Sequence, residues 1–308
     1  MTLDLRTEAA NYLRTRRALG FRLADHNWIL AGFLSQVAAD GATTISISHA
    51  LAFATASRGT GRRWQAARLA VIRGFAAHIH ALDPTAAELI PTGLIPAKTT
   101  RRIPYLYSAG QITELMSRAA ALSPPRLGAT MGIFIGLLAV TGLRGGEAAG
   151  LDNQDLNPDQ SVLRVTGKYG KQRLVPLHPS AVEALTGYQR SHATTAPTSA
   201  ALLVGGTGNR LNLTSARALF RRVVNQCDLP THPGCGTPRL HDLRHTFAVN
   251  SLIDAHRQGA DVDARIAVLA TYLGHADPVH TYWYLTASPE LMTLVSDRMT
   301  TRTRGQRP

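Results

Sequence analysis

Apolar side chains recur at helical spacings through residues 3–82. Leu13, Leu19 and Phe21 precede a run with Trp28, Leu30, Phe33, Leu34 and Val37 at helical spacings. A Gly41-Ala-Thr-Thr break follows, and Ser46 or Ser48 is placed to cap a helix around Leu51 and Phe53. Behind Gly61 a longer helix carries Trp64, Leu69, Ile72 and Phe75 on one side and Arg62, Arg63, Arg68 and Arg73 on the other. The pattern predicts a small helical bundle with a basic face. That face suits either a polyanion or plain solvation.

Residues 91–106 lose this periodicity. Pro91, Pro96, Lys98, Arg101, Arg102 and Pro104 make the stretch a basic, extended linker. Ser108-Ala-Gly-Gln111 then has the form of a capping box, with Ile112 and Leu115 opening the apolar face of a new helix. The apolar run from 125 to 140 predicts a buried helix that delivers Thr141-Gly-Leu-Arg144 to its end. Strand character appears in Ser161–Thr166 and Gln172–Leu177, flanking Gly167-Lys-Tyr-Gly170, so a hairpin with a lysine at its tip is expected. Helices resume around 180–190 and 213–226, from His241 to Leu252, and from Asp263 to Leu273, where Gly274 ends the last of these. Asp277-Pro278 should start a short helix ending near Tyr284, and Ser288-Pro-Glu290 another. The expectation is a mainly α protein with a small β hairpin or sheet. Its domains would be residues 1–92, a linker 93–106, and 107–308.

Composition sharpens the partner. The 308 residues carry a formal net charge of +13, and the pI is near 10.6. The excess is spread: residues 1–104 hold 13 Lys/Arg against 6 Asp/Glu, and residues 105–308 hold 20 against 14. Two basic domains point to a polyanion such as nucleic acid. Two cysteines give no disulfide framework, no apolar run has membrane-spanning length, and the first residues do not form a signal peptide, so a cytoplasmic protein is expected.

Within the second part, an ordered set of cations closes on a tyrosine. Arg144 follows a glycine at the end of a buried helix and can grip a phosphate with two parallel hydrogen bonds, with Glu147 three residues on to fix it. His241 and Arg244 share one helix face. Lys168 at the hairpin tip could give a proton to a leaving alkoxide, with Lys171 as its competitor. Tyr284 is a nucleophile only where neighbouring cations stabilise its anion, and Tyr282 would face the other side of a helix. No pair of carboxylates stands out as a magnesium site. Each piece alone is more commonly structural.

Taken together, the segments resemble the tyrosine recombinase (phage integrase) family. Thr141-Gly-Leu-Arg-Gly-Gly-Glu-Ala-Ala-Gly-Leu151 resembles its first arginine box. Gly167-Lys168 with Lys171-Gln-Arg-Leu-Val-Pro-Leu177 resembles its catalytic hairpin. Leu240-His-Asp-Leu-Arg-His-Thr-Phe-Ala248 resembles its histidine–arginine box. Leu273-Gly-His-Ala-Asp-Pro278, with Tyr284 nine residues after His275, resembles its final box. The resemblance implies a helical, SAM-like core-binding bundle at the N-terminus and a mixed α/β catalytic domain. It implies that Arg144, His241 and Arg244 bind the scissile phosphate, that Lys168 is the general acid, that His275 assists, that Tyr284 attacks, and that Glu147 supports from behind. No cofactor or metal is called for. The expected partner is double-stranded DNA, bound as a homotetramer on paired recombination sites, with room for partner recombinases or accessory proteins. Three departures stand out: Gly145-Gly146 replaces bulkier residues and would loosen that turn, Pro230–Pro238 is a glycine- and proline-rich segment of unassigned role, and Leu285-Thr-Ala follows Tyr284 in place of a polar, His-containing run. A non-catalytic DNA-binding protein and a type IB topoisomerase are the competing readings. A zinc module on Cys227, His232, Cys235 and His241 fits no standard spacing.

Overall fold

The computed structural model describes residues 3–21, 23–56, 61–97, 102–167, 170–193, 199–230 and 234–274, together with Thr293. The chain divides into two compact units, Met1–Arg101 and Arg102–Pro308.

The first unit consists of α1 (Leu5–Ala18), α2 (His26–Ala39), α3 (Ile47–Thr55) and α4 (Arg62–Leu82). Asp4 caps α1 by accepting the N–H groups of Arg6 and Thr7. Ser46, rather than Ser48, caps α3 by accepting the His49 N–H at 3.1 Å. Leu30, Phe33, Ile72, Phe75 and Ile79 form the centre of the core; each such side chain contributes roughly 1.5–3 kcal/mol on burial. Periodicity misplaces two residues here. Arg68, expected on the basic face, is buried, with its guanidinium carbon 4.0 Å from the centre of the Phe53 ring. The negative face of the ring partly offsets the lost hydration. Trp28, expected inside, is half exposed and stacks on Trp64 at 5.8 Å. The basic side of α4 is therefore Arg62 and Arg63, with Arg73 half-buried.

The second unit contains α5 (Ala109–Ala120), α6 (Pro125–Thr141), α7 (Gly145–Ala149), β1 (Leu156–Asn157), β2 (Val162–Thr166), β3 (Gln172–Pro176), α8 (Pro179–Ala193), α9 (Leu213–Val224), α10 (Asp242–Arg257) and α11 (Val262–Leu273). The capping box before α5 is present in both directions, Gln111 N–H to Ser108 Oγ and Ser108 N–H to Gln111 Oε1. The strands form one antiparallel sheet in the order β1-β2-β3, with Leu163 opposite Val175 and Val165 opposite Arg173. Leu115, Phe134, Leu163, Val165, Val175, Phe220 and Leu243 build the main core, and Val249, Leu252, Ile266, Leu269 and Leu273 seal α10 to α11. The protein is thus mainly helical with a small sheet, as its periodicities predict. Strand β1 went unforeseen because two residues carry no alternation.

The stretch read as the end of the linker belongs to this unit's core. Tyr105 and Tyr107 are buried with their rings 4.9 Å apart, and the Tyr107 N–H donates to Thr246 Oγ1 at 3.0 Å. The helices expected after Asp277 and Ser288 lie outside the described residues. Among the described residues, no helix is long and apolar enough to cross a membrane.

Candidate active site

The site is built where α6, α10 and α11 end or begin against one another. Helix α6 stops at Gly142, which adopts a left-handed conformation with φ of 61°. A Cβ there would lie 2.5 Å from Phe247 and 3.0 Å from Leu273, so both strain and space demand glycine. The Gly142 carbonyl accepts a hydrogen bond from Arg244 Nη1 at 2.7 Å, and Arg244 Nη2 donates to the Leu273 carbonyl at 2.8 Å. Arg244 is 1 % exposed. Its side chain therefore locks the end of α6 and the end of α11 onto α10, satisfying a terminal helix carbonyl that has no intrahelical partner. The sequence placed Arg244 on a half-buried helix face; in fact it lies fully inside.

Arg144 follows two residues after Gly142. Its Nη1 donates to Glu147 Oε1 at 2.8 Å and more distantly to the carbonyls of Leu273 (3.5 Å) and Gly274 (3.4 Å). About a third of its side chain remains exposed (34 %). Arg144 and Arg244 thus converge on one carbonyl, that of Leu273. Glu147 is 7 % exposed. Burial alone would raise its pKa, but hydrogen bonds and charge from Arg173, with the N–H groups of Arg144, outweigh burial and lower it. Glu147 is an anion that holds Arg144 in place.

His241 stands at the start of α10, with its ring edge-on to that of His245 at 4.9 Å. Desolvation comes first, and then the positive charge of Arg244, with smaller contributions from Arg239 and Arg144; together they overcome Asp242 and lower its pKa to about 4. The imidazole is neutral near pH 7 and registers the positive field around it.

Lys168, His275 and Tyr284 lie outside the described residues. The residues next to two of them are described. Gly167 precedes Lys168, and a Cβ on it would be 3.7 Å from Arg173 Nη1 and 3.8 Å from Glu147 Oε1. Gly274 precedes His275; it caps α11 with φ of 67°, and its carbonyl accepts from Arg144.

Arg173 is the residue that sequence reading missed. From β3 it donates through Nη2 to Glu147 Oε2 at 2.9 Å and through Nε to the Tyr272 carbonyl at 2.9 Å. A signal existed. Alternation along β3 turns Arg173 and Val175 inward and leaves Leu174 62 % exposed, so this arginine occupies a core-facing register.

Two of the three departures are explained within the described residues, and the third, after Tyr284, lies outside them. Gly145 does not loosen its turn: a Cβ there would meet Leu213 at 3.0 Å and Leu240 at 3.2 Å, so the glycine lets α7 pack closely. Within the glycine- and proline-rich segment, residues 234–238 grip the start of the second unit. Cys235 bridges to Ile103, and its thiol donates to the Pro104 carbonyl at 3.5 Å. The Arg102 guanidinium fills the space a side chain on Gly236 would need. Beyond it, Arg239 is fixed by Asp242, whose carboxylate accepts from the Arg239 guanidinium at 2.8 Å, and the Arg239 carbonyl accepts from Tyr107 Oη at 3.1 Å.

Comparison with known proteins agrees with this fold. Residues 108–290 match the Phage integrase family. The chain is 37 % identical to the integrase/recombinase y4rB of Sinorhizobium fredii, over 96 % of this chain and 97 % of that one. It is 32 % identical to the tyrosine recombinase XerC of Pelobacter propionicus, over 96 % and 95 % of the two chains. Its fold matches a lambda integrase tetramer bound to a Holliday junction with a TM-score of 0.57 at 17 % identity, covering 90 % of this chain and 78 % of that one. A chain with this fold, these arginine and histidine boxes and relatives matched along nearly its whole length belongs to the phage integrase family, the tyrosine recombinases, whose members are DNA strand transferases of site-specific recombination.

Proposed function

We propose that the protein cuts duplex DNA at specific sites with Tyr284 and rejoins it to a partner strand through a 3′-phosphotyrosyl link. The observation that carries this reading is the convergence of Arg144 and Arg244 on the Leu273 carbonyl, two residues before His275. Two planar guanidinium groups fixed at one point suit the non-bridging oxygens of a phosphate, whose charge grows as an oxygen attacks. Neutral His241 adds an N–H donor beside them.

In the first step Tyr284 Oη bonds to phosphorus, and the bond from phosphorus to the 5′ oxygen breaks. Lys168 gives that oxygen a proton, and the tyrosine proton leaves with assistance from His275. One phosphoester replaces another, so bond energy is conserved and no ATP is consumed; the fixed cations do the electrostatic work that needs a metal elsewhere. The 5′-hydroxyl of a partner strand then attacks the phosphotyrosine and releases Tyr284. Two such rounds exchange both strand pairs through a Holliday junction. A homotetramer on paired sites suits this sequence of events, and the lambda integrase tetramer on a Holliday junction supports it by analogy of fold. Residues 1–92, with Arg62 and Arg63 exposed on α4, act as the core-binding domain, 93–106 as the linker and 107–308 as the catalytic domain, in the cytoplasm.

Nicked duplexes of randomised sequence test this, because the short strand beyond the cut diffuses away and traps the intermediate. In EDTA and without ATP, a denaturant-resistant protein–DNA adduct is expected, with a free 5′-hydroxyl on the released strand. Retention of duplex with no adduct from any sequence would leave a DNA-binding protein without strand transferase activity.

His241 gives a pH signature. Its depressed pKa in the free protein must rise when a phosphate arrives, so binding takes up a proton between the two values. Affinity for a cognate duplex should therefore increase as pH falls from about 7 to about 5, by at most about tenfold per pH unit. Anisotropy titrations across this range should give a flatter profile for His241→Gln than for wild type, whereas His245→Gln should keep the slope. Parallel profiles for wild type and His241→Gln would remove His241 from the phosphate site.

A further inference from the structure

Glu147 is a single buried carboxylate contacted by two arginines, and the second of them, Arg173 within the hairpin segment Lys171–Leu177, takes no part in the proposed bond-making steps. Arg173 Nη2 and Nη1 reach Glu147 Oε2 and Oε1 at 2.9 and 3.3 Å, while the backbone N–H and Nη1 of Arg144 reach Oε2 and Oε1 at 3.0 and 2.8 Å. Arg173 Nε donates to the Tyr272 carbonyl. Its guanidinium lies against Gly274, where a Cβ would come within 3.0 Å of Nη1 and 3.1 Å of Cζ. The Arg173 side chain is 16 % exposed. All three of its nitrogens are engaged inside the protein, on Glu147 and the Tyr272 carbonyl.

We infer that Arg173 is a positioning residue for strand cleavage: it shares Glu147 with Arg144, and it fixes the spacing between the hairpin, the first arginine turn and the end of α11. This rests on the recombinase reading. The physical reasons are two. One guanidinium joins β3, which leads back to the hairpin tip at Lys168, to α7 and to the last turn before His275. Sharing also matters: a buried carboxylate with Arg144 as its lone cation would draw that guanidinium wholly onto itself, away from an incoming phosphate. Lysine could not replace the fork, because one ammonium cannot serve two carboxylate oxygens and a carbonyl in those fixed directions.

The full-length chain would be compared with Arg173→Met, Arg173→Lys and the double variant Arg173→Met/Glu147→Gln. The probe is the nicked duplex that wild type cleaves best from a randomised pool. Binding is read by anisotropy, cleavage by single-turnover adduct formation, and folding by thermal melting. Arg173→Met should bind within about threefold of wild type yet cleave about 100-fold more slowly, the size of loss expected when catalytic groups shift by about 1 Å. Arg173→Lys should fall between. The double variant should recover at least about tenfold over Arg173→Met, because a neutral amide no longer captures Arg144. Among the described residues, the charged groups facing Glu147 are Arg144 from its own turn and Arg173 from β3. In Arg173→Met, lowering the pH should therefore speed cleavage relative to wild type, as protonation of Glu147 mimics the amide. Cleavage by Arg173→Met at the wild-type rate overturns the inference. So does an equal loss of binding and cleavage, or a lowered melting temperature that the double variant shares with no recovery of rate. Absence of any adduct with wild type would instead overturn the recombinase reading, and this inference with it.

Discussion

Tyr284→Phe is expected to bind a cognate duplex as wild type does and to form no covalent adduct with it. The substitution removes one hydroxyl and keeps the ring, so it takes away only the proposed nucleophile. Loss of a nucleophile with no substitute costs at least about 10³-fold in rate. The tyrosine is singled out by its place nine residues after His275, and His275 follows the helix end on which Arg144 and Arg244 converge. Tyr282→Phe is the matched control and should cleave normally. Adduct from Tyr284→Phe at undiminished yield, or its loss in Tyr282→Phe, would move the nucleophile elsewhere. Because binding is measured on the same duplex, a misfolded variant is not mistaken for an inactive one.

Arg244→Met should lose cleavage and stability together, whereas Arg144→Met should lose cleavage alone. Arg244 is buried and supplies the donors for the carbonyls of Gly142 and Leu273. Removing it leaves two buried acceptors without those bonds, at about 1–3 kcal/mol each. A total near 3 kcal/mol lowers the melting temperature of a unit this size by roughly 6–12 °C. Arg144 is partly exposed, and Glu147 keeps Arg173 when Arg144 is replaced, so its melting shift should stay within about 3 °C. In the proposed reaction both variants lose a guanidinium beside the phosphate, worth about 10²–10³ in the cleavage rate. Melting curves and single-turnover adduct formation on one duplex read the contrast. Equal melting temperatures for the two variants would contradict the anchoring role given to Arg244.

The elements that local chemistry dictates were legible in the sequence. The Ser108–Gln111 capping box, the Gly274 stop and the hairpin around Gly167–Gly170 each depend on a few adjacent residues, and Ser46, Gly274 and strands β2 and β3 appear where the pattern puts them. That Arg144, Glu147, His241 and Arg244 lie close together was legible through the order of their boxes. What stayed hidden depends on partners distant in the chain. Arg68 reads as solvated until Phe53 is seen beneath it. Trp28 reads as core until Trp64 is seen to be its only ring neighbour among the described residues. Arg173 reads as an ordinary strand arginine because its partner Glu147 is 26 residues earlier and the Tyr272 carbonyl is 99 residues later. Periodicity ranks residues by polarity, and it cannot see that a buried carboxylate makes an inward arginine the better choice.

The anchors of Arg244 are main-chain oxygens, those of Gly142 and Leu273. Every amino acid brings the same carbonyl, so most replacements around this site leave its scaffold in register. Only changes that bend the backbone itself are forbidden, and Gly142, enclosed by Phe247 and Leu273, is where that prohibition falls hardest. The architecture is therefore tolerant of drift in composition and intolerant of drift in path. A chain of this fold can change many side chains while the frame that orients the arginine keeps its path.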